Sequence, residues 1–410
     1  MVTNWAGNVS FSAARFHQPG SVAELQRIVA LSSRVRALGT GHSFNLIADT
    51  TGGLISLGRL PTIVAVDAER GQVSVSADVT YGELASRLHS AGYALANLAS
   101  LPHISVAGAC ATGTHGSGDS ASNVAAAVSA IDMVAADGEL VTISRGAEDF
   151  AGAVVALGAL GIVVNMSLDI VPSYYVTQHV YENLRLDDLA EHFDEIFASG
   201  YSVSLFTTWR DPLISQMWIK QRVSEPGEPA RTRFGARLAD GPRHPVPGHS
   251  PVHCTQQLGV PGPWHQRLPH FRLDYTPGAG RELQSEFMLP RSAAVPACRA
   301  IEAINDVLCP VLQVSEIRTV PADDLWLSPS YQRDTVCFHF TWIDDWHAVA
   351  PVIARLEEQL APFEPRPHWG KLFTRPGRYD RLPDFLNLMQ KYDPTAKFRN
   401  EFLDMYLVSR

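Results

Sequence analysis

Between Ser100 and Gly118 the chain reads Ser-Leu-Pro-His-Ile-Ser-Val-Ala-Gly-Ala-Cys-Ala-Thr-Gly-Thr-His-Gly-Ser-Gly, and after Ser105 nothing in it except His115 is larger than valine. Such a run buries little apolar area, so it cannot build a core by itself. It makes sense where backbone must lie against a ligand, offering N–H and hydroxyl donors at close range. Ser105, Gly108, Thr112, Gly113, Thr114, His115 and Gly116 are therefore candidate ligand contacts. His103 and His115 in the same stretch are read as local hydrogen-bonders rather than metal ligands.

A shorter glycine-containing turn, Gly39-Thr40-Gly41-His42-Ser43-Phe44, follows the strand-like Arg34–Leu38. Alternate glycines permit positive φ, and successive N–H groups can then converge on a phosphate. No third glycine opens a helix, so this is not a dinucleotide fingerprint, and no lysine follows, so it is not a P-loop. Taken alone, such a turn is more often structural than ligand-binding.

Composition narrows the class. The 410 residues suffice for two domains, since single cores stop growing at about 250–300 residues. A net charge of −9 without a basic run excludes a nucleic-acid footprint and gives no long-range attraction for anionic ligands or membranes. Five scattered cysteines without a CxxC pair suggest neither a zinc site nor a disulfide framework, and they read as thiols in a reducing compartment. The start lacks a basic and apolar leader, and the longest uncharged stretch, Ala151–Asp169, reads as a buried helix turning into a strand rather than a membrane span. A cytoplasmic protein is expected. The sequence is silent on oligomeric state and compatible with a monomer.

Periodicity predicts strands at Arg34–Leu38, Leu54–Leu57, Ile63–Val66, Val73–Val75, Ala130–Ala135 and Ile162–Val171, with a helix over Tyr81–Ala91 and a hairpin turn at Asp137-Gly138. From about residue 175 the chain becomes richer in Trp and Pro, and Ser224–Pro251 reads as a surface loop. Strands follow at Leu312–Val320 and Thr335–Ile343, a helix at Val349–Leu360, and short helices in the last 40 residues. In the first of these strands Glu316 and Arg318 share a face with Val314 and Val320. In the second, His339 and Thr341 share a face. The ordinary reading of such faces is that they meet water. Facing a pocket instead, they would supply an acid, a cation, an imidazole and a hydroxyl to a polyhydroxylated ligand. Lys371, in Pro367-His368-Trp369-Gly370-Lys371, would ordinarily be a solvated side chain lying on an aromatic ring.

Together these segments resemble the vanillyl-alcohol-oxidase-type flavoproteins, and within them the bacterial alditol (xylitol/sorbitol) oxidases. The similar pieces are Gly39–Phe44, Ala99–Gly108, Ala111–Gly118, Ser202–Phe206, Gly259–His265, Glu316–Thr319 and His368–Lys371, which span essentially the whole chain. The His-Trp-Gly-Lys piece is shared with sugar-lactone oxidases, whereas Ser-Leu-Pro-His-Ile-Ser and Glu-Ile-Arg-Thr point to alditol oxidases. The resemblance implies an α+β, two-domain FAD-linked oxidase of the PCMH type. In it an FAD-binding domain over residues 1–175 and a C-terminal segment over 371–410 enclose a substrate (cap) domain over 176–370, with an antiparallel sheet over the flavin. It implies FAD bonded covalently through His42, with cofactor contacts from the two glycine-containing loops, Ser100, Ile162, His368 and Lys371. Ser100, Glu316, Arg318, His339, Thr341 and Lys371 would form the polyol site, with Lys371, His339, Arg318 and Glu316 as its catalytic groups. The partners implied are a small polyol and O2, which becomes H2O2. The alternatives are a sugar-lactone oxidase or dehydrogenase, a binding protein without turnover, and a metal-dependent hydrolase using His103 and His115.

Overall fold

The computed structural model describes residues 2–223, 229–275 and 282–409. The first part of the chain makes three small sheets, one of them only the antiparallel pair Tyr93–Ala94 and Val171–Pro172. Three parallel strands, Arg15–His17, Gly53–Ile55 and Val35–Ala37, lie with Gly53–Ile55 in the middle. Five antiparallel strands run in the order Val64–Asp67, Gln72–Ser76, Ile162–Asp169, Val128–Val134 and Leu140–Ser144. The burial of Ile162–Asp169 alternates residue by residue, the signature of a strand with one face on a core. Tyr81–Ser90 forms the expected helix, opened by a Thr80/Glu83 capping box.

Two expectations change here. The small-residue run is not all loop: Val106–Ala111 is a helix, with Val106, Ala109 and Cys110 buried. Alanine is the best helix former, and small side chains let this short helix pack closely. Conversely, Ala151–Asp169 holds only the four-residue helix Phe150–Ala153 before its strand. Leu157 and Gly158 adopt positive φ, which no helix continues through.

The rest of the chain is dominated by one large antiparallel sheet whose central order is Tyr175–Arg185, Leu213–Arg222, Ser202–Thr207, Leu312–Val320, Thr335–Trp342 and Leu283–Pro290. Residues 224–228 of the predicted surface loop lie outside the described residues. Its remainder contains two short strands, Thr232–Arg233 and Ala236–Leu238, which pair with each other and extend this sheet. One face of the sheet, carrying Val203, Leu205, Met217, Ile219, Ile317, Phe338 and Phe340, joins a common core with apolar residues of the helices Leu186–Ala198, Ala294–Glu302 and Trp346–Leu360. The last helix starts a turn earlier than predicted because Asp345 caps it through the Ala348 N–H.

The opposite face does not meet water. Every residue of Thr335–Trp342 is buried, and all of Leu312–Val320 except Gln313. The C-terminal segment then returns to the first sheets, where Lys397 donates to the carbonyls of Val29 and Ala136, and Asn400 to those of Leu46, Ile47 and Asp49.

Candidate active site

Strand register assembles the site. Glu286, His339 and Glu316 stand opposite one another across Leu283–Pro290, Thr335–Trp342 and Leu312–Val320. One pleat along, Gln284 pairs with Thr341. One pleat the other way, Cys337 pairs with Arg318. Since alternate residues share a face, two carboxylates, a guanidinium, an imidazole and a hydroxyl project from one side of the sheet.

These charges are buried, with Glu286 only 1% and Glu316 and Arg318 4% exposed, so each needs compensation. Glu286 accepts a hydrogen bond from Arg318 Nη2 and another from Lys371 Nζ at 2.7 Å. Its Oε1 also lies 3.2 Å from His115 Nε2. Burial would raise its pKa, but Arg318, Lys371 and His115 more than offset this and hold it well below the usual carboxylate range. Burial likewise works against Glu316, and Arg318 and His270 keep it ionised. Arg318 Nη1 donates to Ser100 Oγ at 3.2 Å.

Lys371 Nζ also lies 2.8 Å from His339 Nδ1, and His339 Nε2 lies 3.1 Å from Thr341 Oγ. A donating lysine makes Nδ1 the acceptor, so the imidazole proton sits on Nε2 and is given to Thr341. The Thr341 hydroxyl hydrogen is then left to donate elsewhere. Burial and the neighbouring Lys371 push His339 down to about 3, so it is neutral near pH 7. Lys371 is itself lowered by burial, an effect that Glu286 opposes.

The glycine-containing turn is bonded directly to the segment carrying Lys371. The Phe44 N–H donates to the Gly370 carbonyl at 2.8 Å, and Asn45 Nδ2 donates to the carbonyls of Trp369 and Lys371, each at 2.8 Å. Gly41 has φ +71°, a conformation that favours glycine, and a Cβ on Gly39 would stand 2.5 Å from Ser105 Oγ, so that hydroxyl would have to move. Thr40 Oγ accepts from the Ser105 N–H and ties this turn to the small-residue run. The His42 ring stacks on Trp5 with centroids 5.1 Å apart, and its Nδ1 is 3.0 Å from Thr40 Oγ. Its Nε2 is buried without a hydrogen-bond partner. Burial and His103 lower its pKa to about 4, leaving a neutral imidazole.

Both loops and the polar sheet face line one cavity of about 740 Å³, near the upper end for small-molecule sites. Gly39 through Phe44, Ser100, Ser105, Gly108, Thr112, Thr114, His115, Glu316, Arg318, His339, Thr341, His368 and Lys371 all border it. Gly113, Gly116 and Ile162 do not. Gly113 makes a left-handed turn toward Pro329, Gly116 is pressed against Asn97 and Leu98, and Ile162 is fully buried in a separate apolar cluster. His103 is also absent from the wall and hydrogen-bonds the Leu273 carbonyl. His115 has Glu286 and Cys337 beside it instead, within 4.8 Å, but both Glu286 oxygens are already taken by Arg318 and Lys371.

Sequence reading missed Glu286, Asn45, His270 and Lys220. A carboxylate and a lysine beside runs of apolar strand residues were the available signals, and they become informative only once register shows which faces they share.

Residues 13–144 match a family model described as an FAD binding domain, and residues 280–406 one described as D-arabinono-1,4-lactone oxidase. An alditol oxidase from a Streptomyces species is 50% identical over 98% of both chains. An L-gulono-1,4-lactone dehydrogenase of Mycobacterium tuberculosis is 28% identical over 98% of this chain and 97% of its own. A cholesterol oxidase from B. sterolicum superposes with a TM-score of 0.78 at 12% identity, covering 99% of this chain and 96% of that one, which is a likeness of fold. Half of all residues shared end to end with a curated enzyme is a family relation, so the chain belongs to the alditol oxidases of the FAD-linked, vanillyl-alcohol-oxidase type.

Proposed function

We propose that this chain oxidises the terminal –CH2OH of a polyol such as xylitol or sorbitol to the aldehyde, with O2 reduced to H2O2. The observation that carries it is the wall formed by the buried Glu316, Arg318 and Thr341 and the half-buried Ser100 and Lys371, donors and acceptors opening on the same cavity as the glycine turn. A site built to pair with several hydroxyls rejects ligands that lack them, because its own groups would be left unpaired.

FAD fits the residues present: His42 offers a buried, unpartnered ring nitrogen, and the loops around Gly39–Phe44 and Ser105–Thr114 bring backbone to the cavity wall. Held there, FAD would supply a hydride acceptor and a route for the electrons to O2. The chain's own residues do the rest. Lys371 and Thr341 receive the reacting hydroxyl, and Lys371, whose pKa burial lowers, takes up its proton while His339 orients it. Ser100, Arg318 and Glu316 hold the remaining hydroxyls. We assign residues 1–175 and 371–410 to FAD binding and 176–370 to the substrate side. All five cysteines are free, and no helix among the described residues is long and apolar enough to cross a membrane.

The test is a peroxide assay over xylitol, sorbitol, glycerol and a γ-lactone. Turnover of the polyols with little on the lactone is expected. Preference for the lactone would make the chain a lactone oxidase, a reading that the match over 280–406 keeps in view. The neutral His42 ring is the nucleophile for a covalent flavin link. Acid-precipitated wild type should therefore stay yellow, and His42→Ala should release its flavin to the supernatant. A colourless wild-type precipitate would remove the link.

A further inference from the structure

Glu316 has a second line of support, through His270, which itself borders the cavity, to Lys220, which does not. His270 Nε2 lies 2.8 Å from Glu316 Oε1, and Lys220 Nζ lies 3.1 Å from His270 Nδ1. Lys220 also donates to the carbonyls of Leu268 and Pro269. All three residues are buried, and Lys220, only 1% exposed, does not border the cavity. The ionised Glu316 can only accept, so the neutral His270 ring carries its proton on Nε2, aimed at Glu316, and its Nδ1 accepts from Lys220. Burial and Lys220 lower His270 to about 4, which agrees with a neutral ring.

The ring has little freedom. It is flanked edge-on by Phe206 and Trp218, with centroids 5.5 and 5.3 Å away. The His270 backbone N–H donates to the Ser100 carbonyl at 3.0 Å, so one residue steadies both ends of the hydroxyl-binding wall. Arg318 Nε, 3.7 Å from Glu316 Oε1, is a buried donor without a hydrogen-bond partner. His270 therefore competes with that nitrogen for the same carboxylate oxygen.

We propose that Lys220 and His270 are positioning residues: they hold Glu316 ionised and turned toward the cavity, and so set how strongly the site recognises the polyol hydroxyl that Glu316 receives. This rests on the reading of Glu316 as a polyol contact, and the closing experiment separates the two.

Flavin-loaded Lys220→Met, His270→Phe, His270→Gln, Glu316→Gln and the double variant His270→Phe/Glu316→Gln are compared by kcat and KM on xylitol. Lys220→Met and His270→Phe should lose about tenfold or more in kcat/KM, mostly through KM, at unchanged flavin content. His270→Gln, whose amide N–H can replace Nε2, should stay within about threefold of wild type, and the double variant within about twofold of Glu316→Gln. Additive losses in the double variant, or a His270→Gln as impaired as His270→Phe, would overturn the positioning role. If Glu316→Gln itself is near wild type, the polyol-site reading fails instead. Should His270→Phe not fold, Lys220→Met and His270→Gln decide the question alone.

Discussion

One carboxylate, Glu286, faces Arg318, Lys371 and His115 at once, and its neutral replacement would leave buried cations without their counter-charge. Breaking a buried pair in this way costs about 3–5 kcal/mol. Glu286→Gln should therefore lower unfolding stability by about 3 kcal/mol in denaturant titration. It should also move the Lys371 titration to lower pH, because Glu286 is the group that opposes the effect of burial there. Movement of the acid limb of the kcat/KM profile reports this. Unchanged stability and an unmoved limb together would mean that Glu286 is not the hub of the network. The residues carrying recognisable motifs, His42, Ser100, Glu316 and Lys371, were legible in the sequence because their neighbours form patterns. Glu286 was not, because a single glutamate between serine and phenylalanine carries no pattern.

At the level of elements, periodicity in one apolar face found Tyr81–Ser90 and Leu312–Val320 but not Tyr175–Arg185, Leu213–Arg222 or Leu283–Pro290, where polar residues interrupt the alternation. Prediction also failed where small residues removed the periodic signal. Val106–Ala111 is helical although its composition suggests loop, and Ala236–Leu238 is a strand inside a stretch rich in Pro, Gly and Arg. The polar faces of Leu312–Val320 and Thr335–Trp342 posed a different difficulty. Alternation shows which residues share a face but is silent on what that face meets. Pairing on both sides of Thr335–Trp342 answers it by placing Glu286 and Glu316 on either side of His339. A slip of one residue in either register would turn these groups into the apolar core.

For the whole molecule, burial of neutral histidines sets the response to pH. His270 and His339 are lowered from 6.5 to about 4 and about 3, and His368 well below 6.5, burial being the first cause in each. A depressed folded-state pKa gives stability that is present above the unfolded value of 6.5 and lost as pH falls through the folded one. Glu286 and Glu316, also depressed, act in the same direction below 4.5. His115, for which Cys337 and Glu286 outweigh burial and raise the pKa to about 9, acts oppositely and loses its contribution as pH rises through that value. A tenfold difference in proton affinity between the folded and unfolded chain corresponds to about 1.4 kcal/mol of stability. Tm should peak near pH 6.5, decline as pH rises toward 9 and fall steeply by pH 4.5, as thermal melts at constant ionic strength would show. A Tm level down to pH 5 would mean that these histidines are hydrated or already charged in the fold.

Sequence alone determined the local chemistry: the glycine turn before His42, the small-residue run, and the alternation that sets Glu316 beside Arg318 and His339 beside Thr341. These depend on steric rules and on spacing within a few residues, which are written in order along the chain. Tertiary structure decided which of these groups act together. Asn45 is bonded to residues 369 and 371, Glu286 to Arg318 and Lys371, and His270 to Glu316, across separations of 32 to 326 residues. Contacts of that range exist only after register and packing are fixed, because the charges they join are stable in the interior only in one another's presence.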